Sequence, residues 1–403
     1  MPLDPRRRAA AAWTLLLARA AYAYNWYDIG GVLPLVGGRF GIGTVEQGVV
    51  LASFLAGAAV FQLPAGFAAM RWGNRATSLG ALALMGAFAL ASGFAPTWVV
   101  LAVLRFGAGA GAAFFFAPAL GLVTEYYPSG SRGLMIGAYN AAFSVGSGIG
   151  LFASAWIGPE LGWSWTLVLG GALLLAVAAP ALILVPRGEE ARIARPRDLA
   201  RTARPVLTSR GLWAIALGGS GLWGGFYIAA QFFVNFAHAV HPAWSLALAA
   251  AAPTVMIAVE VLGGPVGGRM GERSRDMRRL LVGWGVVSGA ILAVVPFLDL
   301  GPVVAVFVPL GFADGLTFAL LYLLPTYLAE LRGSVVALGL ALINFVQILI
   351  GSVLALGFAL VASAYGYTAA WLYAGLAAVA FLPALALVGS GPARRGSLPA
   401  APA

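Results

Sequence analysis

Residues 66–75 read Gly66-Phe67-Ala68-Ala69-Met70-Arg71-Trp72-Gly73-Asn74-Arg75, and residues 264–273 read Gly264-Pro265-Val266-Gly267-Gly268-Arg269-Met270-Gly271-Glu272-Arg273. A shift of 198 positions, about half of the 403-residue chain, superimposes two glycines and two arginines of these stretches. A match at this distance indicates a duplicated unit. Each copy follows a long apolar segment and ends in basic residues, which is typical of a short, positively charged turn between two membrane helices. Glycine suits such a turn because it tolerates positive φ.

The composition is that of a membrane protein. Apolar residues make up 61% of the chain and charged residues only 9%, whereas roughly a quarter of the residues in a soluble domain are charged. Apolar runs of about 18 residues or more recur, and each can cross about 30 Å of hydrocarbon. The alternating pattern of transmembrane β-barrel strands does not occur in the sequence. We therefore predict an all-α polytopic membrane protein.

Polar breaks divide the apolar sequence into twelve predicted transmembrane helices, here called spans one to twelve. They cover about 12–35, 45–70, 77–95, 98–124, 133–157, 164–186, 211–237, 243–267, 280–297, 302–328, 335–361 and 368–389. Six spans fall within residues 1–186, and six fall within residues 211–403, which end in a short cytoplasmic tail. Between them, residues 187–210 are rich in arginine, glutamate and proline, which predicts a cytoplasmic linker that includes a short surface helix. The expected architecture is two pseudo-symmetric six-helix halves.

The distribution of arginine predicts the orientation in the membrane. The net charge is +10, and all 24 basic residues are arginine. With the N-terminus inside, 21 of them lie in inner loops and only Arg39 lies in an outer loop. Basic residues collect in cytoplasmic loops, so we expect a multi-pass protein of the cytoplasmic (inner) membrane with both termini in the cytoplasm. This orientation accounts for the basic charge, and no nucleic-acid partner is expected.

The reactive residue types are few. The chain has no cysteine, and its two histidines, His238 and His241, are both predicted near the outer surface. A catalytic nucleophile–base set or a metal site needs more such groups. We therefore expect neither an enzyme nor a bound metal or cofactor. The sequence also lacks the G-x-x-x-x-G-K-[ST] phosphate loop of a primary pump.

The duplicated turn resembles the signature G-x-L-a-D-R-x-G-R-r of the major facilitator superfamily of secondary transporters. The first copy matches this signature at Gly66, Arg71, Gly73 and Arg75. It departs with Met70 at the acidic position and Asn74 at the next basic position, and the second copy has Gly268 at the acidic position. The resemblance implies a cytoplasmic gate made of Gly66, Arg71, Gly73, Arg75, Gly264, Arg269, Gly271 and Arg273. In the family the missing acid helps to latch the halves together.

A second resemblance lies in span four. Residues 101–113 are similar to the family motif l-x-x-x-R-x-x-q-G-x-g-a-a, with Arg105 at the arginine and Ala108 in place of the glutamine. This similarity implies a coupling role for Arg105. Span five carries Gly146-Ser147-Gly148-Ile149-Gly150 without the proline that the family's exchangers have.

Five charged residues are predicted inside the hydrocarbon, where each costs a few kcal/mol and is by default a functional candidate. They are Arg19, Asp28, Arg105, Glu260 and Asp314. Arg19 and Asp28 lie nine residues apart, so on one helix they point to opposite faces about 13 Å apart and should not pair directly.

Each charge has a functional and a structural interpretation. Arg19 either binds solute or extends to the cytoplasmic interface, and Asp28 either couples transport or forms a structural ion pair. Arg105 could hold an anion, tune a carboxylate or act as a scaffold cation. Glu260, on a packing helix, is either structural or part of the coupling set, and Asp314 fits a proton or cation carrier.

Polar side chains at helical spacing predict which helix faces line a central chamber. In span seven they are Ser220, Gly224, Tyr227, Gln231, Asn235 and His238. A stripe of this kind faces either a water-filled cavity or another helix. Shorter stripes comprise Asn140, Ser144 and Ser147 in span five and Asn344 with Gln347 in span eleven. The predicted chamber residues are Arg19, Tyr22, Asn25, Trp26, Asp28, Tyr227, Gln231, Asn235, Asn344 and Gln347. Phe114, Phe115 and Phe116 are interpreted as packing residues.

These features predict a secondary transporter that works by alternating access. Arg19 and Arg105 favour a small organic anion such as a carboxylate, with proton coupling through a buried carboxylate. Asp28 and Asp314 suit efflux of cationic or drug-like compounds, which is the alternative. A non-transporting membrane receptor or scaffold is the third hypothesis. The expected partners are a small-molecule solute, protons and the lipid bilayer, and the expected state is a monomer.

Overall fold

The computed structural model describes residues 4–127, 129–186, 203–274, 276–328 and 335–388. Within these ranges the regular elements are helices. They are α1 Pro5–Tyr27, α2 Leu33–Phe40, α3 Thr44–Trp72, α4 Asn74–Ser92, α5 Trp98–Tyr126, α6 Ser129–Leu161, α7 Trp163–Leu184, α8 Arg210–Val240, α9 Leu246–Arg273, α10 Met277–Val294, α11 Leu300–Leu323 and α12 Val335–Ala380. Short 3₁₀ turns occupy Gly30–Val32, Val295–Phe297, Leu324–Tyr327 and Leu382–Leu387.

The helices account for twelve membrane crossings. In the described part of the chain, ten helices, α3 to α12, are long and apolar enough to span a bilayer. The 46-residue α12 breaks at Gly366, whose φ of 84° is outside the helical region, and so makes two crossings. The first crossing is α1, the following 3₁₀ turn and α2, in which arginines lower the hydropathy of an otherwise apolar segment. The predicted fold class, an all-α membrane protein of twelve helices, is confirmed.

Side chains at the helix starts satisfy backbone donors that would otherwise be unpaired. Thr97, Ser209 and Ser245 each precede a helix. Their hydroxyl oxygens each accept a hydrogen bond from the backbone N–H of the third residue of α5, α8 and α9, respectively. Ser and Thr are favoured at this position for this reason. Large apolar side chains such as Ile183 and Leu376 are exposed on the outer surface of the bundle. This is the surface expected to face lipid.

The two halves pack their helices in the same way around glycine crossings. In the N-terminal half α3 crosses α5, where a side chain on Gly109 would collide with the carbonyl oxygen of Phe54. In the C-terminal half α9 crosses α11, where a side chain on Gly311 would collide with the carbonyl oxygen of Met256. Both members of the second pair lie 202 residues after those of the first. Glycine allows the backbones to touch, and the shared offset supports the internal repeat.

The first copy of the duplicated motif forms the tight turn that the sequence predicts. Gly73 ends α3 and begins α4 with φ 89° and ψ 157°, a conformation that favours glycine. Arg75 follows at once, and its Nε donates a hydrogen bond to the carbonyl oxygen of Val185 at 2.6 Å. Arg75 therefore caps the carboxyl end of α7, where unpaired carbonyl groups carry partial negative charge.

The second copy has a different structure. Here α9 remains helical through Gly271 and ends at Arg273. The arginine that repeats the contact of Arg75 is Arg278, whose Nη1 donates to the carbonyl oxygen of Val388 at 2.7 Å. Each arginine lies 110 residues before its acceptor. Arg278, rather than Arg273 at the matching sequence position, thus makes the contact equivalent to that of Arg75.

The predicted linker is only partly described. Residues 187–202 lie outside the described residues, so the boundaries 1–186, 187–210 and 211–403 remain predictions. Residues 203–207 are helical. Val206 is fully buried and belongs to the hydrophobic cluster of the C-terminal half.

Candidate functional site

Asp28 and Arg105 form an ion pair inside the N-terminal half. Arg105 Nη1 lies 3.1 Å from Asp28 Oδ1, and Arg105 Nη2 donates to the backbone carbonyl of Asn25 at 3.1 Å. The ring of Phe54 covers the guanidinium at 4.7 Å. Both charged side chains are sealed, with exposures of 1% for Arg105 and 0% for Asp28. The structure thus shows an ion pair for Asp28, and it confirms that Arg19 and Asp28 do not pair with each other.

Arg19 lies in the interior, so the interpretation that it extends to the cytoplasmic interface is wrong. It is 5% exposed. Four aromatic rings surround its guanidinium carbon, with centroids 4.4–4.8 Å away. These rings, here called the Arg19 cage, belong to Tyr22, Phe116, Tyr139 and Phe143. Aromatic faces attract a cation but do not satisfy its hydrogen bonds. Nε and Nη1 of Arg19 have no hydrogen-bond partner in the described part of the chain.

Three helices build the Arg19 cage. Arg19 and Tyr22 come from α1, Phe116 from α5, and Tyr139 and Phe143 from α6. The interpretation of Phe116 as a packing residue is therefore incomplete, because its ring contacts the buried arginine. Tyr139 and Phe143 were not predicted as site residues. Their spacing of four, which places two rings on one helix face, is the signal that could have identified them.

Glu260 and Asp314 face each other from α9 and α11. The main chains meet where the carbonyl oxygen of Glu260 lies against Gly315, next to Asp314. Both acidic residues are partly exposed, unlike Asp28. The carboxylate of Glu260 interacts with the hydroxyl group of Ser144 and with the positive charge of Arg19. These contacts place Glu260 toward the interior of the bundle.

Several predicted chamber residues instead connect helices in this conformation. Gln231 Nε2 donates to the carbonyl oxygen of Trp26 at 2.6 Å, and Asn235 Nδ2 donates to the hydroxyl group of Tyr367 at 3.0 Å. Gln231 and Asn235 are buried. Asn25 is fully buried too, and its amide donates to the carbonyl oxygens of Ala21 and Gly170. Most of these amide groups therefore donate across helix contacts in this conformation, although Asn25 Oδ1 and Gln231 Oε1 have no partner among the described residues.

Tyr227, the remaining predicted residue of span seven, is also buried. Its ring stacks on Trp223 with centroids 5.5 Å apart and lies 6.1 Å from the ring of Tyr27 in the other half. Ser352 donates to the carbonyl oxygen of Ala52 at 3.2 Å and makes a further contact between the halves. These contacts join the two halves of the bundle.

The two predicted residues of span eleven, Asn344 and Gln347, differ in their hydrogen bonding. Asn344 accepts a hydrogen bond from the hydroxyl group of Tyr322 on α11, a residue that was not predicted. Gln347 is buried, and its Nε2 has no partner in the ranges that the structure describes. Tyr22 and Trp26 join an aromatic cluster in which Trp26 packs on Phe54 at 4.9 Å.

The fold and these sites define a duplicated helical membrane protein with charged residues in its interior. The model of the Major Facilitator Superfamily matches residues 15–352, and the chain belongs to this family. The family consists of transporters rather than enzymes.

Similar proteins include named transporters. The chain is 31% identical over 216 residues to the gallate transporter of Pseudomonas putida, a match that covers 53% of this chain and 48% of the relative. It is 30% identical over 181 residues to the 4-hydroxybenzoate transporter PcaK of the same species, covering 44% and 40%. The chain thus spans less than half the length of these relatives.

One solved structure shares nearly the whole fold. It is a bacterial homologue of the human lysosomal transporter Spinster, in an inward-facing, unoccupied conformation. The TM-score is 0.72 with 17% sequence identity, and the match covers 96% of both chains. At this identity the likeness shows the fold alone.

Proposed function

We propose that this protein is a secondary transporter that moves a small aromatic carboxylate across the cytoplasmic membrane by alternating access. The observation that carries the proposal is the Arg19 cage, which holds a buried guanidinium with unpaired N–H groups. A buried donor without a partner is costly, and a carboxylate can accept two parallel hydrogen bonds from one arginine. The bound anion would remove that cost.

The walls of the site favour a planar ring on the anion. Tyr22, Phe116, Tyr139 and Phe143 offer ring faces and edges around Arg19, and aromatic pairs gain energy beyond their buried area. Relatives named as gallate and 4-hydroxybenzoate transporters carry substrates of this chemistry, which supports the same class here.

We assign proton coupling to Glu260 and Asp314, because these carboxylates are partly exposed and Glu260 interacts with Arg19. The sealed pair of Asp28 and Arg105 supports the geometry of α1 and α5. The two copies of the motif, at the turn after α3 and at the end of α9, form the cytoplasmic gate of the alternating-access cycle. The same pair of partly exposed carboxylates supports efflux of a cationic compound as the second candidate function.

The proposal includes the topology. Both termini face the cytoplasm, two six-helix halves flank the linker 187–210, and the monomer works in the lipid bilayer as a symporter of solute and protons. The arginine distribution supports this orientation.

Uptake of labelled 4-hydroxybenzoate into proteoliposomes tests the proposal. Substituting Arg19→Gln removes the charge, and losing a charged hydrogen bond of about 1.5–3 kcal/mol should weaken uptake at low substrate concentration by roughly 10- to 100-fold. The matched control is Arg39→Gln, an exposed arginine in the outer region, which should retain uptake. Wild-type uptake in the Arg19 variant would refute the assignment, and uptake of hydrophobic cations alone would favour the second function.

A further inference from the structure

Two arginines of the second motif copy have no partner among the described residues. In the first copy Arg75 caps α7, but in the second copy Arg278 makes the equivalent contact. This leaves Arg273, the sequence counterpart of Arg75, without that role. Neither Arg273 nor Arg269 has a hydrogen-bond or ion-pair partner in the part of the chain that the structure describes, and both are exposed.

The nearby acidic residues do not neutralise these arginines. The carboxylate of Asp276 pairs with two other arginines: its Oδ1 lies 3.0 Å from Arg278 Nε, and its Oδ2 lies 3.5 Å from Arg279 Nε. The hydrogen bond from Arg278 holds the pKa of the Asp276 carboxyl below its ordinary value. Glu272 is exposed and forms no ion pair with either arginine. The end of α9 therefore keeps two positive charges that an external anion can approach.

These two arginines line a cavity of about 470 Å³ between the ends of α9 and α10. Its lining residues are Val266, Arg269, Met270, Arg273, Ser274 and Leu280. The cavity is open at the protein surface, and its volume lies in the range of small-molecule sites. The oxygen of Ser274 accepts a hydrogen bond from the backbone N–H of Asp276, so its own hydroxyl proton is available to the cavity.

The lining combines two arginines with three apolar side chains. Val266, Met270 and Arg273 recur at helical spacing on one face of α9, and Arg269 lies on the same face. Val266 lies about one turn before Arg269 and two turns before Arg273, and Met270 lies between the two arginines. An anion without an apolar part would leave Val266, Met270 and Leu280 in contact with water. An amphiphile can place a phosphate group against the arginines and an acyl chain against the apolar side chains.

We propose that this cavity binds the headgroup of an anionic phospholipid from the cytoplasmic leaflet. Arg269 and Arg273 hold the phosphate, Ser274 donates to it, and the first acyl carbons cover the apolar residues. Basic pockets at the cytoplasmic ends of membrane helices have this chemistry. The leaflet rests on the orientation proposed above, whereas the binding site itself does not depend on transport.

Native mass spectrometry of the detergent-purified protein, titrated with phosphatidylglycerol, tests this site. The double variant Arg269→Gln/Arg273→Gln should bind this lipid about thirtyfold more weakly, from roughly fivefold for each arginine near the membrane surface. The matched control Arg71→Gln/Arg279→Gln removes two exposed arginines outside the cavity and should keep the wild-type affinity. Equal unfolding temperatures in phosphatidylcholine show that both variants fold.

Three results would overturn the proposal. Equal affinity for phosphatidylcholine and phosphatidylglycerol would show that the charge is not recognised. Equal losses in the two double variants would show diffuse attraction instead of a site. Competition by soluble glycerol 3-phosphate or inorganic phosphate at the concentration of the lipid would assign the cavity to a soluble anion.

Discussion

The pair of Asp28 and Arg105 allows a quantitative prediction of stability. The two side chains are 3.1 Å apart and almost fully sealed. Substituting Arg105→Met leaves the Asp28 carboxylate buried without its counter-ion, which should destabilise the protein by about 3–5 kcal/mol. Substituting Asp28→Leu should cost less, because Arg105 keeps the Asn25 carbonyl and the Phe54 ring as partners. The double variant removes both charges and should recover most of the loss.

The assay is reversible unfolding of the purified protein in mixed micelles, followed by tryptophan fluorescence. The wild type, the two single variants and the double variant form a double-mutant cycle. Neighbouring residues typically show coupling energies of about 0.5–3 kcal/mol, and this pair should reach about 3 kcal/mol or more. Arg39→Met, at an exposed outer position, is the control and should change stability little. Additive losses in the double variant, or a loss below about 1 kcal/mol for Arg105→Met, would refute the buried-pair argument.

Three further predictions concern packing, coupling and capping. Gly109→Ala inserts a methyl group against the Phe54 carbonyl and should destabilise the protein by about 1–3 kcal/mol in the same unfolding assay. The control is Gly80→Ala, whose methyl group meets open space. It should be neutral or stabilise the protein by up to about 1 kcal/mol. Glu260→Gln should abolish the stimulation of 4-hydroxybenzoate uptake by an inward proton gradient. If the variant is still stimulated, and a protonophore removes that stimulation as in the wild type, the coupling assignment is contradicted. Arg278→Gln removes the hydrogen bond to the Val388 carbonyl oxygen, which follows the 3₁₀ turn Leu382–Leu387, and should lower the unfolding temperature. An unchanged unfolding temperature would show that this hydrogen bond does not stabilise the protein.

The crossings and the repeat could be predicted because hydropathy and glycine spacing are local properties. The break at Gly366 falls in the loop expected between spans eleven and twelve, and Gly73 takes the positive φ expected of a motif turn. The second copy could not be predicted in the same way. Its α9 remains helical through Gly271, where the side chains of Leu320 and Leu323 on α11 lie close to the glycine.

The candidate site was predicted residue by residue but not as an assembly. Arg19 and Glu260 were both identified from the cost of charge in hydrocarbon, yet their different environments depend on other helices. The polar stripe of α8 fits a chamber wall and an interhelical contact equally well, since periodicity shows only that one face is not exposed to lipid. In this conformation the hydrogen bond from Gln231 to the carbonyl oxygen of Trp26 shows an interhelical contact at that position.

The sequence by itself determined the number of crossings, the internal duplication, the expected orientation and which charges enter the membrane. Only the tertiary structure decided which charges meet. Arg105 reaches Asp28 across 77 residues, and rings from three helices enclose Arg19. The physical reason is that burial depends on local composition, whereas pairing depends on distances between helices, which close glycine crossings such as that of Gly109 with Phe54 set.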